Sequence, residues 1–130
     1  MAQVADGMRD KVCLVTGANS GMGYVTALEL AKMGATVVMV CRSQQKGEAA
    51  QAEIKAKSGS DTVDLRLADL SSQQSIHQLA DAFKQKYSRL DVLVNCAGSV
   101  VGKRKLTGDG YEQTFALNHL GYFLLTNLLL

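Results

Sequence analysis

The amino-acid sequence predicts an α/β fold with a doubly wound parallel sheet. Three features carry that expectation: four short apolar runs alternate with four amphipathic stretches, most of the runs are apolar almost throughout, and the 130 residues contain no proline. Alternation of strand and helix builds parallel sheets with right-handed crossovers. Strands covered on both faces lose the polar half of their alternation.

The runs are KVCLVT (11–16), ATVVMVC (35–41), TVDLRLAD (62–69) and LDVLVNCAG (90–98). In the third, Val63, Leu65 and Leu67 alternate with polar residues, which suits an edge strand. Between the runs, Tyr24, Ala27, Leu28 and Ala31 follow the i, i+3, i+4, i+7 period of a buried helix face, and Gly34 can end that helix in a left-handed conformation. Residues 44–57 read as a second helix, mainly alanine with Ile54 as its one large apolar residue, and SGS follows. Ile76, Leu79, Ala80 and Phe83 repeat the helical period behind Ser71 and Gln74, which stand at the S-x-x-Q spacing of a capping box. A fourth helix is expected to open near Asp109, with Glu112 three residues on, and to run into the leucine-rich end.

The length suits one domain, placed at 9–130, with residues 1–8 as a disordered leader. Hydrophobic residues make up 47% and charged residues 20%, and the formal net charge is +2, which argues against disorder and against a polybasic nucleic-acid surface. Cys13, Cys41 and Cys96 are odd in number and form no C-x-x-C pair, so they read as reduced core thiols. The leader has no apolar run, and YFLLTNLLL (122–130) is far shorter than the ~20 residues a membrane span needs. A cytoplasmic protein without signal peptide or membrane anchor is expected. Neither His77 nor His119 has a partner histidine at helical spacing, so no metal site is expected.

The chemistry concentrates in LVTGANSGMGY (14–24). A glycine turn between a strand and a helix at the carboxyl edge of a parallel sheet lets a phosphate reach bare backbone N–H groups, where the helix dipole favours negative charge. Gly17 would allow the sharp exit from the strand, Gly21 the approach of a pyrophosphate, and Gly23 close packing of helix on strand. The spacing is G-x-x-x-G-x-G, and Met22 followed by Gly23 excludes the P-loop pattern. A tight turn without a ligand is the plain alternative.

TGANSGMG (16–23) is similar to the T-G-x-x-x-G-x-G motif of the short-chain dehydrogenase/reductase family, and VCRS (40–43), ADLS (68–71), NCAG (95–98) and LNHLGYFLLTNLL (117–129) agree with it in order. Together they resemble the retinol dehydrogenase branch of that family. The resemblance implies a Rossmann-type sheet with flanking helices whose strand order begins 3-2-1-4, and an oxidoreductase that moves a hydride between a nicotinamide and an alcohol or carbonyl carbon.

It also implies where a dinucleotide would lie. Gly17, Asn19, Ser20, Gly21, Met22 and Gly23 would meet the phosphates and ribose, and Asp69 and Leu70 the adenine; in the cofactor-binding stretch Asn95, Ala97 and Gly98 the Asn95 side chain would hold the central strand while the small residues let the backbone approach the other ribose, with Cys96 departing from the family's second Asn. An acid at the end of the second strand would select NAD; here Cys41 stands in that place and Arg42 follows, whose guanidinium grips a phosphate well. NADP(H) is therefore expected over NAD(H). The plain readings are a solvated charge for Arg42 and a helix-capping carboxylate for Asp69.

Of the family's catalytic Asn, Ser, Tyr and Lys, only the Asn has a counterpart, Asn118, the alternative being a mid-helix Asn bonded to its own turn. No tyrosine is followed by a lysine four residues on. The sequence thus reads as a truncated, N-terminal portion that lacks the catalytic Ser and Y-x-x-x-K, inactive alone, its alcohol or carbonyl substrate being that of a full-length parent. The competing expectation is a non-catalytic form that binds nucleotide or docks onto full-length subunits, or onto itself, through helix 109–130. A methyltransferase with a similar turn would want an acid where Cys41 stands.

Overall fold

In the computed structural model, residues 7–130 are described, and they divide into two compact units. One comprises the chain up to Leu67 together with Arg89–Cys96; the other comprises Ala68–Ser88 and Ala97–Leu130.

The first unit is a four-stranded parallel sheet in the order β3-β2-β1-β4, formed by β1 (Val12–Thr16), β2 (Thr36–Cys41), β3 (Val63–Leu67) and β4 (Val92–Val94). That is the order of a doubly wound sheet, and β3 takes the edge expected from its alternation. Helices α1 (Gly21–Lys32) and α2 (Gln44–Ser58) bury Ala27, Leu28, Ala31, Ala50 and Ile54 against Cys13, Val15, Val37, Met39 and Val63. The alternate strand residues Leu14, Val38 and Val40 are also fully buried, which explains why β1 and β2 lack a polar face.

Two glycines let the helices come close. A Cβ on Gly23 would fall on the Gly17 carbonyl oxygen, and one on Gly47 would lie 2.5 Å from Cys41 Sγ. Helix α2 ends as its sequence suggests, with Gly59 left-handed at φ 72°. Of the expected leader, residues 1–6 lie outside the described residues, while the Met8 N–H donates to the Met33 carbonyl at 3.0 Å. The three cysteines are free thiols; Cys13 and Cys41 are buried in the core as expected, whereas Cys96 is only half-buried, past the end of β4.

The second unit holds α3 (Gln73–Lys86) and a composite helix made of α4 (Gln113–Phe115), a π-helical turn (Ala116–Leu120) and α5 (Gly121–Leu129). Two expectations are corrected here. The cap of α3 is Ser72, whose hydroxyl accepts from the Ser75 N–H, because Ser71 is already engaged by the Asp69 carboxylate. The last helix opens at Gln113 rather than near Asp109, because residues 107–110 close a turn through the Gly110 N–H to the Thr107 carbonyl, with Gly110 at φ 87°. Asp109 instead accepts from the Gln73 N–H at 2.9 Å and so caps α3, while Glu112 caps α4 by accepting from the Thr114 and Phe115 N–H groups. Those two amides hold the Glu112 carboxyl below the usual carboxylate range.

The β4 end is pinned by Asp91, whose carboxylate accepts from the Val12 N–H at 2.8 Å and pairs with Arg89. Arg89 first, and then the Val12 amide, hold the Asp91 carboxyl below its ordinary value. A folded-state value depressed in this way gives stability that is complete above about pH 4 and disappears as the pH falls through the folded value. Denaturant unfolding at pH 7 and pH 3 will therefore show a smaller acid loss for Asp91→Asn than for the parent chain. Gly23→Ala, which must displace the Gly17 carbonyl, will cost about 1–3 kcal/mol in the same measurement.

Candidate functional site: a dinucleotide cradle

In a sheet of order 3-2-1-4 the strand order reverses between the parallel strands β1 and β4, and the crevice beyond their carboxyl ends is where open α/β sheets take ligands. The residues there are Gly17 after β1 and Asn95 after β4. Thr16, fully buried, ties the two strand ends: its hydroxyl donates to the Val94 carbonyl at 3.4 Å and accepts from the Cys96 N–H at 3.0 Å.

From Gly17 the chain turns sharply into α1. Gly17 and Gly21 both adopt left-handed backbone, φ 64° and 59°, a conformation that costs other L-residues about 1–2 kcal/mol. The Ala18 N–H donates to the Val40 carbonyl at 3.3 Å, tying the turn to the end of β2. Ser20 is the N-cap residue, extended, and its hydroxyl makes no capping bond. The first N–H groups of a helix have no intrahelical acceptor, so the amides of Gly21, Met22 and Gly23 face outward from a twelve-residue helix. A Cβ on Gly21 would meet nothing within 4 Å: the space in front of the turn is open, and Met22 beside it is 81% exposed. Asn19 is half-buried and Ser20 exposed on the same turn.

At the end of β2, Cys41 is buried and its Sγ donates to the Ser43 carbonyl at 3.3 Å. Burial pushes the thiol above its ordinary value, so the group at this strand end carries no charge at neutral pH. Arg42 follows, exposed, and the Ser43 hydroxyl caps α2 by accepting from the Lys46 N–H. The arrangement has no carboxylate to repel an anion and one guanidinium to hold it.

The second unit carries the other candidates. Asp69 accepts from both the N–H and the hydroxyl of Ser71 through Oδ1, at 3.0 and 2.6 Å, and its own N–H donates to the Ser75 hydroxyl. The Leu70 side chain is buried, and a Cβ on Gly121 would fall on the Leu70 carbonyl oxygen, so only glycine lets α5 pass so near. Residues 97–99 belong to no strand, and the composite helix holds them: Asn118 Oδ1 accepts from the Ser99 N–H at 3.0 Å and its Nδ2 donates to the Ser99 carbonyl at 2.8 Å. One turn later the Tyr122 hydroxyl donates to the Ala97 carbonyl. Asn118 lies in the π-helical turn, closed by the Gly121 N–H bonding to the Ala116 carbonyl. Such bulges occur disproportionately at functional sites.

Gly17, Asn19, Ser20, Gly21, Met22, Gly23, Arg42 and Asn95 thus fall in the first unit, at strand ends or the adjoining turn. Asp69, Leu70, Ala97, Gly98 and Asn118 fall in the second. Asn118 bonds a distant segment rather than its own turn, and Asp69 closes a turn ahead of α3 instead of capping it. Thr16, Ser99, Gly121 and Tyr122, which hold these segments in place, are not among the site residues expected from sequence, although Thr16, Gly121 and Tyr122 lie within its motifs. The sequence signal for Thr16 is a hydroxyl ending an otherwise apolar strand, and for Gly121 it is a glycine inside a helical pattern. Among the described residues no cluster of His, Cys, Asp or Glu could hold a metal ion, and no helix is long and apolar enough to cross a membrane.

The strand order and the glycine turn are those of a doubly wound α/β protein, and sequence comparison narrows the class. The short chain dehydrogenase family profile matches residues 11–130, and the chain belongs to that family. Human dehydrogenase/reductase SDR family member 12 is 49% identical over 116 residues, covering 89% of this chain and 36% of that protein. Human retinol dehydrogenase 13 is 44% identical over 120 residues, covering 92% and 36%. The chain therefore spans little more than a third of these curated relatives. Among solved structures, a protein from Mycobacterium paratuberculosis superposes with a TM-score of 0.82 at 43% identity, over 98% of this chain and 45% of that one. A short-chain dehydrogenase from Escherichia coli CFT073, solved with NADPH, superposes with a TM-score of 0.79 at 30% identity, over 96% and 54%.

Asn118→Ala removes both bonds to Ser99 and will lower unfolding free energy by about 1–2 kcal/mol. Amide exchange at Ser99 will rise in the same variant, read by mass spectrometry at neutral pH.

Proposed function

We propose that this chain is the NADP(H)-binding part of a short-chain oxidoreductase acting on an alcohol or carbonyl, with retinoid or lipid aldehydes as the candidate substrate class. The observation that carries the reading is the open cradle at Gly21, with a neutral Cys41 and an exposed Arg42 at the neighbouring strand end. The retinol dehydrogenase relative and the NADPH-bound structural relative support it.

Gly21, Met22 and Gly23 would give their amides to the diphosphate, Asn19, Ser20 and Arg42 would hold the adenosine-side ribose and its 2′-phosphate, and Asp69 with Leu70 would receive the adenine. Asn95, Ala97 and Gly98 would face the second ribose. The cofactor, when bound, supplies or accepts the hydride. Asn118 is the chain's one member of the family's catalytic set; with no tyrosine followed by a lysine four residues on, the proton donor is not supplied by residues 1–130. Turnover by this chain alone is therefore not expected.

A second reading, docking onto another subunit through the composite helix, is favoured by Phe115 and Phe123, which are 50% and 64% exposed. A cleft lined by Leu70, Ile76, Tyr111, Leu120 and Leu124 lies along the same helix.

Calorimetric titration tests the first reading. NADPH will bind more tightly than NADH. Arg42→Ala will weaken NADPH by about ten- to a hundredfold while leaving NADH within about twofold, as expected for loss of a charged hydrogen bond. Gly21→Val, folded by circular dichroism, will abolish both. A folded parent chain that takes up neither dinucleotide sinks the reading.

A further inference from the structure

The segment after β4 has no ladder to hold it. Strand pairing ends at Val94, residues 95–100 are irregular, and Gly98, Ser99 and Val100 are exposed. Within the second unit, two side chains of the composite helix take the place of a ladder. Asn118 grips Ser99 through both its N–H and its carbonyl, and Tyr122 reaches the Ala97 carbonyl two residues earlier. Gly98 sits between the two grips: a Cβ there would stand 3.3 Å from Asn118 Oδ1 and 4.0 Å from the Tyr122 hydroxyl.

We propose that Tyr122 is a positioning residue for the nicotinamide half of the dinucleotide, its hydroxyl fixing the Ala97 carbonyl so that the Ala97–Gly98 backbone presents one surface to the ribose. The proposal rests on the reading above that this backbone meets the cofactor. The geometry separates the roles of the two grips. Asn118 holds the segment at Ser99, whereas Tyr122 holds it at the Ala97 carbonyl. The two bonds flank Gly98, the residue whose backbone has the widest conformational range. Tyr122 is half-buried and lies two residues past the end of the π-helical turn. An anchor already in place before ligand arrives spares the ordering cost of binding.

The test uses the whole chain and two ligands. NADPH carries both an adenosine half and a nicotinamide half, whereas adenosine 2′,5′-bisphosphate carries only the adenosine half with its 2′-phosphate. Tyr122→Phe keeps the ring and removes the hydroxyl. It is expected to weaken NADPH about five- to tenfold by calorimetry, the effect of one lost hydrogen bond, and to leave adenosine 2′,5′-bisphosphate unchanged. Amide exchange at Gly98 and Ser99 in the ligand-free variant is expected to rise. Equal weakening of both ligands would mean general loosening and overturn the proposal, as would unchanged NADPH affinity or unchanged exchange. If the parent chain binds adenosine 2′,5′-bisphosphate and NADPH equally well, the segment makes no contribution and the proposal fails while the cradle reading stands. If the parent binds neither, both fail.

Discussion

The close approach of α1 to β1 is the constraint on which the first unit turns. Gly23 packs so near the Gly17 carbonyl that no side chain fits between them, and that contact fixes where the helix N-terminus points. With the helix so placed, its first amides open toward the carboxyl edge of the sheet, and the left-handed backbone at Gly17 and Gly21 becomes necessary to make the turn in the residues available. Strand order then does the rest. The reversal between β1 and β4 leaves a crevice at the same edge, and Thr16 keeps its two walls together with one hydroxyl used twice. The Ala18 amide joins the turn to the end of β2, which carries Cys41 and Arg42 to the same edge.

Much of this was legible because it is local. Apolar runs gave β1 and β2, the heptad-like spacing of Tyr24, Ala27, Leu28 and Ala31 gave α1, and the glycine turn between them needs only consecutive residues to be recognised. The placement of β3 at an edge followed from Asp64 and Arg66 alternating with Val63, Leu65 and Leu67. The geometry of the turn before α1 could be read for the same reason: it rests on left-handed backbone at Gly17 and Gly21, and glycine marks such positions in the sequence.

What escaped depends on distant partners. LDVLVNCAG looks like nine residues of strand, yet only Val92–Val94 pair, since the amide of Cys96 turns to Thr16 and that of Ser99 to Asn118. Asp109 carries the chemistry of a helix cap and is one, but for a helix 36 residues earlier in the chain, which no window of local sequence reveals. In SSQQ only Ser71 has a glutamine three residues on, yet Ser72 is the cap, because the Asp69 carboxylate takes Ser71. The π-helical turn has no sequence signature at all. It arises where a helix must satisfy Ser99 with Asn118 and let Gly121 slide past the Leu70 carbonyl within a single turn.

That turn bears on how the protein tolerates change in chain length. A π-helical turn is an α-helix holding one residue too many, so removing any one residue between Ala116 and Leu120 would let ordinary winding resume. The five residues of the π-turn wind through nearly the angle that four α-helical residues cover, so Leu125 would stay buried and Phe123 in solvent. A one-residue deletion is absorbed inside this turn, whereas the same deletion in the α-helical part that follows would rotate all that lies beyond it by about 100°.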